Sequence, residues 1–248
     1  MGAKDPFAAR DVQSRRGGPV KAPLSRELIV ATALELLKRD GIEGMGLRKV
    51  AAALDTGAAS LYAYVDDSNA LQALVLDRAL GAVNHRAAKG GWRENVRSLL
   101  GSYVKVLAGT PGLGQLALRT IAVGPNALRI YESLLRSFQE GEMDRGRAAW
   151  AVDLVLLYCT AIAAEHGNGL NPGHPEGPLV PAIRSAREED FPMIHASRDE
   201  LLAGTGEERI RWCIDVMLNG VLTTARPTPS ARDSALGARS PKQTKRAR

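Results

Sequence analysis

The strongest constraint on this chain is the helical spacing of its apolar residues. In Ser25–Asp40, Ile29, Ala33, Leu36 and Leu37 fall at i, i+4, i+7 and i+8, one face of a 3.6-residue repeat. Ser25 is placed to cap that helix and Gly41 to follow its last turn. Leu47–Leu54 repeats the pattern with Leu47, Val50, Ala51 and Leu54. Asp55-Thr56-Gly57 then reads as a tight turn, followed by a third short helix over about 58–65. A longer helix starts near Ser68, with Leu71, Leu74 and Val75 on one side. Beyond residue 90 the spacing predicts helices near 92–108, 111–122, 125–141, 145–166, 181–203 and 207–224, with Pro111 and Pro125 in first turns. The Pro- and Gly-rich stretch Gly167–Pro181 reads as a loop. No segment shows convincing period-2 alternation, so the expected class is all-α.

Charge divides the chain further. Its formal net charge is +6. Residues 1–26 hold six basic and two acidic side chains, residues 226–248 seven and one, so the body between them is slightly acidic. Residues 1–23 and 226–248 lack periodicity and are expected to be a disordered basic arm and a disordered basic tail. Met1–Arg16 has charges and no apolar core, unlike a secretory signal. The most apolar stretch, 148–164, contains Asp153 and falls short of the roughly 20 residues a bilayer demands. The expectation is a cytoplasmic protein with no membrane partner. The two cysteines, Cys159 and Cys213, lack zinc-type neighbours, which fits a reducing compartment and inert thiols.

Two short helices joined by a three-residue turn form a helix-turn-helix pattern. Val50, Ala51 and Leu54 supply the packing face of the first helix, and Leu61 and Val65 anchor the second. Gly57 is the conformationally permissive residue expected to make the turn. Ser60, Tyr62 and Tyr64 are left to face outward, where such helices enter a major groove.

The detail goes beyond the general pattern. Ala33-Leu34-Glu35-Leu36-Leu37, Asp40-Gly41-Ile42-Glu43-Gly44, Leu47-Arg48-Lys49-Val50-Ala51, Leu54, Gly57, Ser60-Leu61-Tyr62, Val65 and Ala70-Leu71 occur in an order and spacing that resembles the TetR family of transcriptional regulators. More faintly, Tyr131-Glu132-Ser133-Leu134 and the segment Arg209–Gly220 resemble the tetracycline-class effector domain. The resemblance implies a helix-turn-helix DNA-binding domain over 24–70 and a helical effector-binding and dimerisation domain over 71–225. It implies a homodimeric repressor on a palindromic double-stranded operator, released by a small-molecule effector.

Carried over by position, Arg48 reaches a base edge, where an arginine can pair bidentately with guanine. Lys49, Ser60, Tyr62, Ala63 and Tyr64 join it in the DNA-contacting set, Tyr62 through its hydroxyl on a phosphate. The implied ligand-binding set is His85, Tyr103, Ala117, Thr120, Ile121 and Tyr131, a mix of apolar wall and few polar anchors. The homodimer would form through helices near 145–166 and 207–224, the first being apolar nearly all round.

The departures from the family pattern also carry information. Ser68 stands where the family usually has a phosphate-gripping lysine, preceded by Asp66 and Asp67. Residues 24–70 hold five basic and seven acidic side chains, so the basic arm before Leu24 is expected to supply attraction to DNA. The metal-binding histidine of tetracycline receptors falls within Ala117–Ile121, which has none, and the partner-chain acidic residue falls near Ile162. The effector is therefore expected to be metal-free, with no cofactor.

His166, His174 and His195 show no metal-ligand spacing, and Trp92 and Trp150 read as packing residues. Two other classes stay open. An enzyme in the C-terminal cavity would need a nucleophile elbow, a phosphate-binding glycine loop or a His/Asp pair, and none is visible. A helical interaction module without DNA binding is kept open by Asp66-Asp67. The expected mechanism is a population shift, with a helix over Ser68–Arg86 as the lever between domains.

Overall fold

The structure is a computed structural model that describes residues 5–8, 12, 23–167, 177 and 179–227. The expectations placed on the rest of the arm, on the tail beyond 227 and on His174 lie outside the described residues, as does the side chain of His166. Among the described residues there are twelve α-helices, one 3-10 turn and no strand.

The N-terminal unit comprises α1 (Arg26–Asp40), a 3-10 turn (Ile42–Met45), α2 (Leu47–Ala53), α3 (Ala58–Leu61) and the start of α4 (Ser68–Leu80). Ser25 Oγ accepts from Leu28 N at 3.1 Å and caps α1. Gly41, at φ 70°, ends α1 by donating its N–H to Leu37 O. Ile29, Ala33, Leu36, Leu37, Leu47, Val50, Ala51, Leu61, Val65 and Leu71 are all buried in one core. Each large apolar side chain among them contributes roughly 1.5–3 kcal/mol.

Two local expectations are corrected here. The left-handed residue of the turn is Asp55 at φ 49°, whereas Gly57 is extended at φ −81°. Aspartate tolerates that region better than most residues because its short carboxylate can bond nearby backbone. The third helix stops at Leu61, and Tyr64 and Val65 both direct their N–H groups to Leu61 O.

The larger unit is built around α8 (Arg145–Gly167), whose Ala151, Val155, Cys159 and Ala163 are fully buried. Against it pack α5 (Trp92–Ala108), α6 (Leu113–Arg119), α7 (Pro125–Glu140) and α12 (Gly206–Thr223). Arg97 on α5 ties α12 down through Asp215, 2.6 Å away. Thr205 and Glu208 cap α12 reciprocally, and those bonds hold the Glu208 carboxyl below its ordinary value. Trp92 packs edge-on to Phe138 with ring centroids 6.4 Å apart.

Other segments differ from the sequence reading. The helix expected over 111–122 starts only at Leu113, because Gly112 turns the chain left-handed at φ 77° and leaves Pro111 outside. The helix expected over 181–203 breaks into α9 (Leu179–Ser185), α10 (Pro192–Ala196) and α11 (Arg198–Leu202). The ring of Pro192 excludes the helical region for Phe191, which sits at φ −137° and ψ 61°. The lever expected over Ser68–Arg86 ends at Leu80. The helix carrying 148–164 has 23 residues, so Arg145–Glu165 is long and apolar enough to cross a membrane by length and composition. The length argument therefore fails, although one side of that helix lies in the protein core. At the N-terminus, Phe7 and Val12 pack against the same core.

Candidate functional site

The helix-turn-helix exposes one mixed surface. Arg48 and Lys49 project from the first turn of α2, and Ser60, Tyr62 and Ala63 project from α3 and its exit. Tyr62 is 54% exposed with its hydroxyl available. Tyr64, expected on the same outer face, is instead buried in the core. The early end of α3 turns Tyr64 inward beside Val65. Asp67 is exposed and is the N-cap of α4: its Oδ1 accepts from Ala70 N at 2.8 Å.

A cavity of about 290 Å³ lies between α4, α5, α6, α7 and α8. It brings together Tyr103, Ala117, Thr120, Ile121 and Tyr131, five of the six residues expected to bind ligand. Leu76 and Leu80 of α4, Ile130 of α7 and Leu156 and Leu157 of α8 add apolar wall. Its ionic groups, Arg119 and Asp153, are both exposed. Inside, Tyr103 Oη lies 2.7 Å from Thr160 Oγ1, which is itself 2.7 Å from Leu156 O. Burial raises the Tyr103 phenol to about 12, so it keeps its proton at neutral pH. Thr120 Oγ1 is buried without a hydrogen-bond partner.

The sixth residue, His85, does not reach the cavity. The chain leaves α4 after Leu80, and His85 is exposed on a separate groove with Nδ1 3.0 Å from Ser133 Oγ.

The sequence reading missed a junction between α4 and α7. Asp77 on α4 is only 4% exposed, and its Oδ1 accepts from the N–H groups of Asn126 and Ala127, both at 2.9 Å. It thereby caps α7, whose first turn borders the cavity. Gly124 is required there, since a Cβ would fall 2.2 Å from the Asp77 carboxyl carbon and 2.6 Å from the Phe7 ring. The available signal was Asp77, beside Arg78, inside the mostly apolar run Leu74–Leu80.

The outer side of α8 exposes large apolar side chains around Asp153. Trp150 is 55% exposed, Leu154 and Leu157 are exposed beside it, and Trp212 and Val216 of α12 are exposed as well. Trp150 is thus no core packing residue; Arg226 lies over its ring at 5.5 Å. Cys159 is buried and its thiol is pushed up to about 12. Among the described residues no three His, Cys, Asp or Glu side chains gather as a metal site, and His195 lies beside Arg198.

Residues 86–225 match the family model described as the tetracyclin repressor-like C-terminal domain. This chain belongs to the TetR family of transcriptional regulators. A TetR-family structure of the same all-helical kind is ActR from Streptomyces coelicolor in complex with actinorhodin, 28% identical, with a TM-score of 0.72 over 81% of this chain and 98% of that one. A transcription regulator from the same organism, SCO7704, is 38% identical with a TM-score of 0.70, covering 85% of this chain and 100% of that one. The HTH-type transcriptional repressor DrrR1 of Streptomyces coeruleorubidus is 32% identical over 120 residues, 48% of this chain and 44% of that one. The TetR chain described here spans less than half the length of the curated relatives it matches. These relatives are named as transcriptional regulators.

Proposed function

We propose that this TetR chain is a cytoplasmic, ligand-responsive repressor that binds a palindromic operator as a homodimer and is released by a small organic effector. The observation that carries this reading is the continuity of α4. The helix packs on α1 of the N-terminal unit, and Leu71, Leu74 and Val75 in its first half are buried, while Leu76 and Leu80 further along line the cavity. A molecule that fills the cavity therefore pushes on the same rigid rod that carries the DNA-binding unit.

Residues 24–70 form the DNA-binding unit and 71–225 the effector and dimerisation unit in this reading. Arg48 reads a base edge, Lys49 and Tyr62 hold phosphates, and Ser60 and Ala63 lie against the groove. Tyr64 supports α3 from the core side. The basic arm before Leu24 adds electrostatic attraction that the small domain, with five basic and seven acidic side chains over 24–70, lacks. Dimerisation uses the exposed apolar faces of α8 and α12, whose Trp150, Leu157, Trp212 and Val216 stand out of the single chain. A two-fold dimer sets the two reading units one helical turn, or a multiple of it, apart. The effector acts by binding better to the dimer state whose units are wrongly spaced; without that difference it would shift nothing. ActR, solved in complex with actinorhodin, supports the binding of an organic molecule, and the repressor DrrR1 supports repression as the outcome.

Selection from a random duplex pool with the full chain tests this reading. It predicts enrichment of a two-fold symmetric sequence with half-sites about 10 base pairs apart, or a multiple. Enrichment of no sequence, or of an asymmetric single site, would contradict it.

A further inference from the structure

The cavity has a hydrogen-bonding polarity, and we propose that it selects a neutral, mainly apolar molecule bearing a hydroxyl that donates to Tyr103 Oη. This rests on the reading that the cavity receives the effector, and it specifies what that effector must present.

The proton count leads to one arrangement. Two oxygen–oxygen contacts of 2.7 Å meet at Thr160 Oγ1, one to Leu156 O and one to Tyr103 Oη. Each contact at that length needs a proton between the oxygens. Leu156 O is a carbonyl and brings none, so the Thr160 proton points to it. The second contact is then closed by the Tyr103 proton, which its raised titration keeps in place at neutral pH. Tyr103 has no donor left, and its oxygen offers the cavity lone pairs only. A carbonyl, ether or carboxylate facing it would meet lone pair with lone pair, whereas a hydroxyl completes the chain of hydrogen bonds.

Two further features narrow the ligand. The charged groups, Arg119 and Asp153, are of opposite sign and both exposed, so an ion placed deep among Leu76, Ile130 and Leu156 would lose its water without compensation. The volume of about 290 Å³ is at the lower end for small-molecule pockets. A fused-ring phenol of two or three rings has this combination of size, apolar face and donor.

The test compares 2-naphthol with naphthalene, binding each to the full chain by fluorescence titration at neutral pH. The expected result is about tenfold tighter binding of 2-naphthol, lost in Tyr103→Phe. Should Tyr103→Phe fail to fold, Thr160→Val serves instead. Removing the acceptor of the Tyr103 proton turns that hydroxyl back to the cavity, so 2-acetonaphthone, which can only accept, gains about tenfold over naphthalene. Equal binding of the first pair, a preference that survives Tyr103→Phe, or no gain in Thr160→Val would overturn the donor assignment while leaving the cavity a ligand site. Failure of both 2-naphthol and naphthalene to bind would overturn the assignment and the effector reading together.

Discussion

Asp77 and Asn126 grip each other from both sides. The Asp77 carboxylate accepts from the Asn126 backbone N–H at 2.9 Å and from its side-chain amide at 3.0 Å, and that amide also donates to the Asp77 carbonyl at 3.0 Å. The pair fastens α4, which carries the DNA-binding unit, to the first turn of α7, which borders the cavity. Asp77→Ala is expected to lower stability by about 2–3 kcal/mol, since it removes a buried cap and orphans the donors at Asn126 and Ala127. Urea unfolding measures this. A loss below about 0.5 kcal/mol would mean the junction does not fasten the two helices.

At the other end of α4, Asp67 is both a charge near the DNA-binding surface and a helix cap. The two roles separate by substitution. Asp67→Asn keeps a capping oxygen and is expected to stay within about 0.5 kcal/mol of the parent, whereas Asp67→Ala loses about 1 kcal/mol. Equal losses in thermal or urea unfolding would show that charge, not the cap, sets the stability at this position.

The cap also shows where the sequence stopped being informative. The charge of Asp66-Asp67 is visible in the sequence, whereas the hydrogen bond that makes Asp67 a helix cap is not. The helices themselves were legible: the apolar spacing in α1, α2, α5 and α7 reappears as buried faces, and Gly41 ends α1 as expected. Errors arose where one residue overrides a periodic pattern. Pro192 breaks the run after residue 181, Gly112 delays α6, and Asp55 rather than Gly57 makes the tight turn. The ligand-binding set came from the family resemblance, and the five of its residues that reach the cavity lie on regular helices or immediately after one. His85 was named but lies outside the cavity because the chain leaves α4 at Leu80, and Asp77 was missed because its partner lies 49 residues away.

Burial of Cys159 has a consequence for pH. Its thiol is raised from an ordinary value of 9.0 to about 12 in the folded chain. A group whose folded value is raised stabilises the fold below its unfolded value. That contribution is lost as pH climbs from about 9 towards 12, because only the unfolded thiol then ionises. Stability should therefore fall over that range, less so in Cys159→Ala after allowing for its lower baseline. Cys159 should also resist thiol reagents at neutral pH until the protein unfolds. Rapid labelling of Cys159 in the folded protein would contradict its burial.

Trp212, 66% exposed on α12, is expected to be buried in the homodimer. Trp212→Glu should leave the helical content unchanged and convert the dimer to monomer in sedimentation velocity at micromolar concentration, because two carboxylates would meet across an apolar two-fold contact. An unaffected dimer would place the interface elsewhere.

The central claim is that α2 and α3 present a DNA-reading surface. Fluorescence anisotropy of the full chain on its selected palindrome, repeated across a salt series, tests it most directly. The account predicts a steep loss of affinity with rising salt, as several phosphate contacts release counterions. Arg48→Ala should weaken the selected site by about 1–3 kcal/mol and narrow its advantage over random duplex. Binding that ignores salt, or an Arg48→Ala protein that still discriminates fully between the selected site and random duplex, would contradict it.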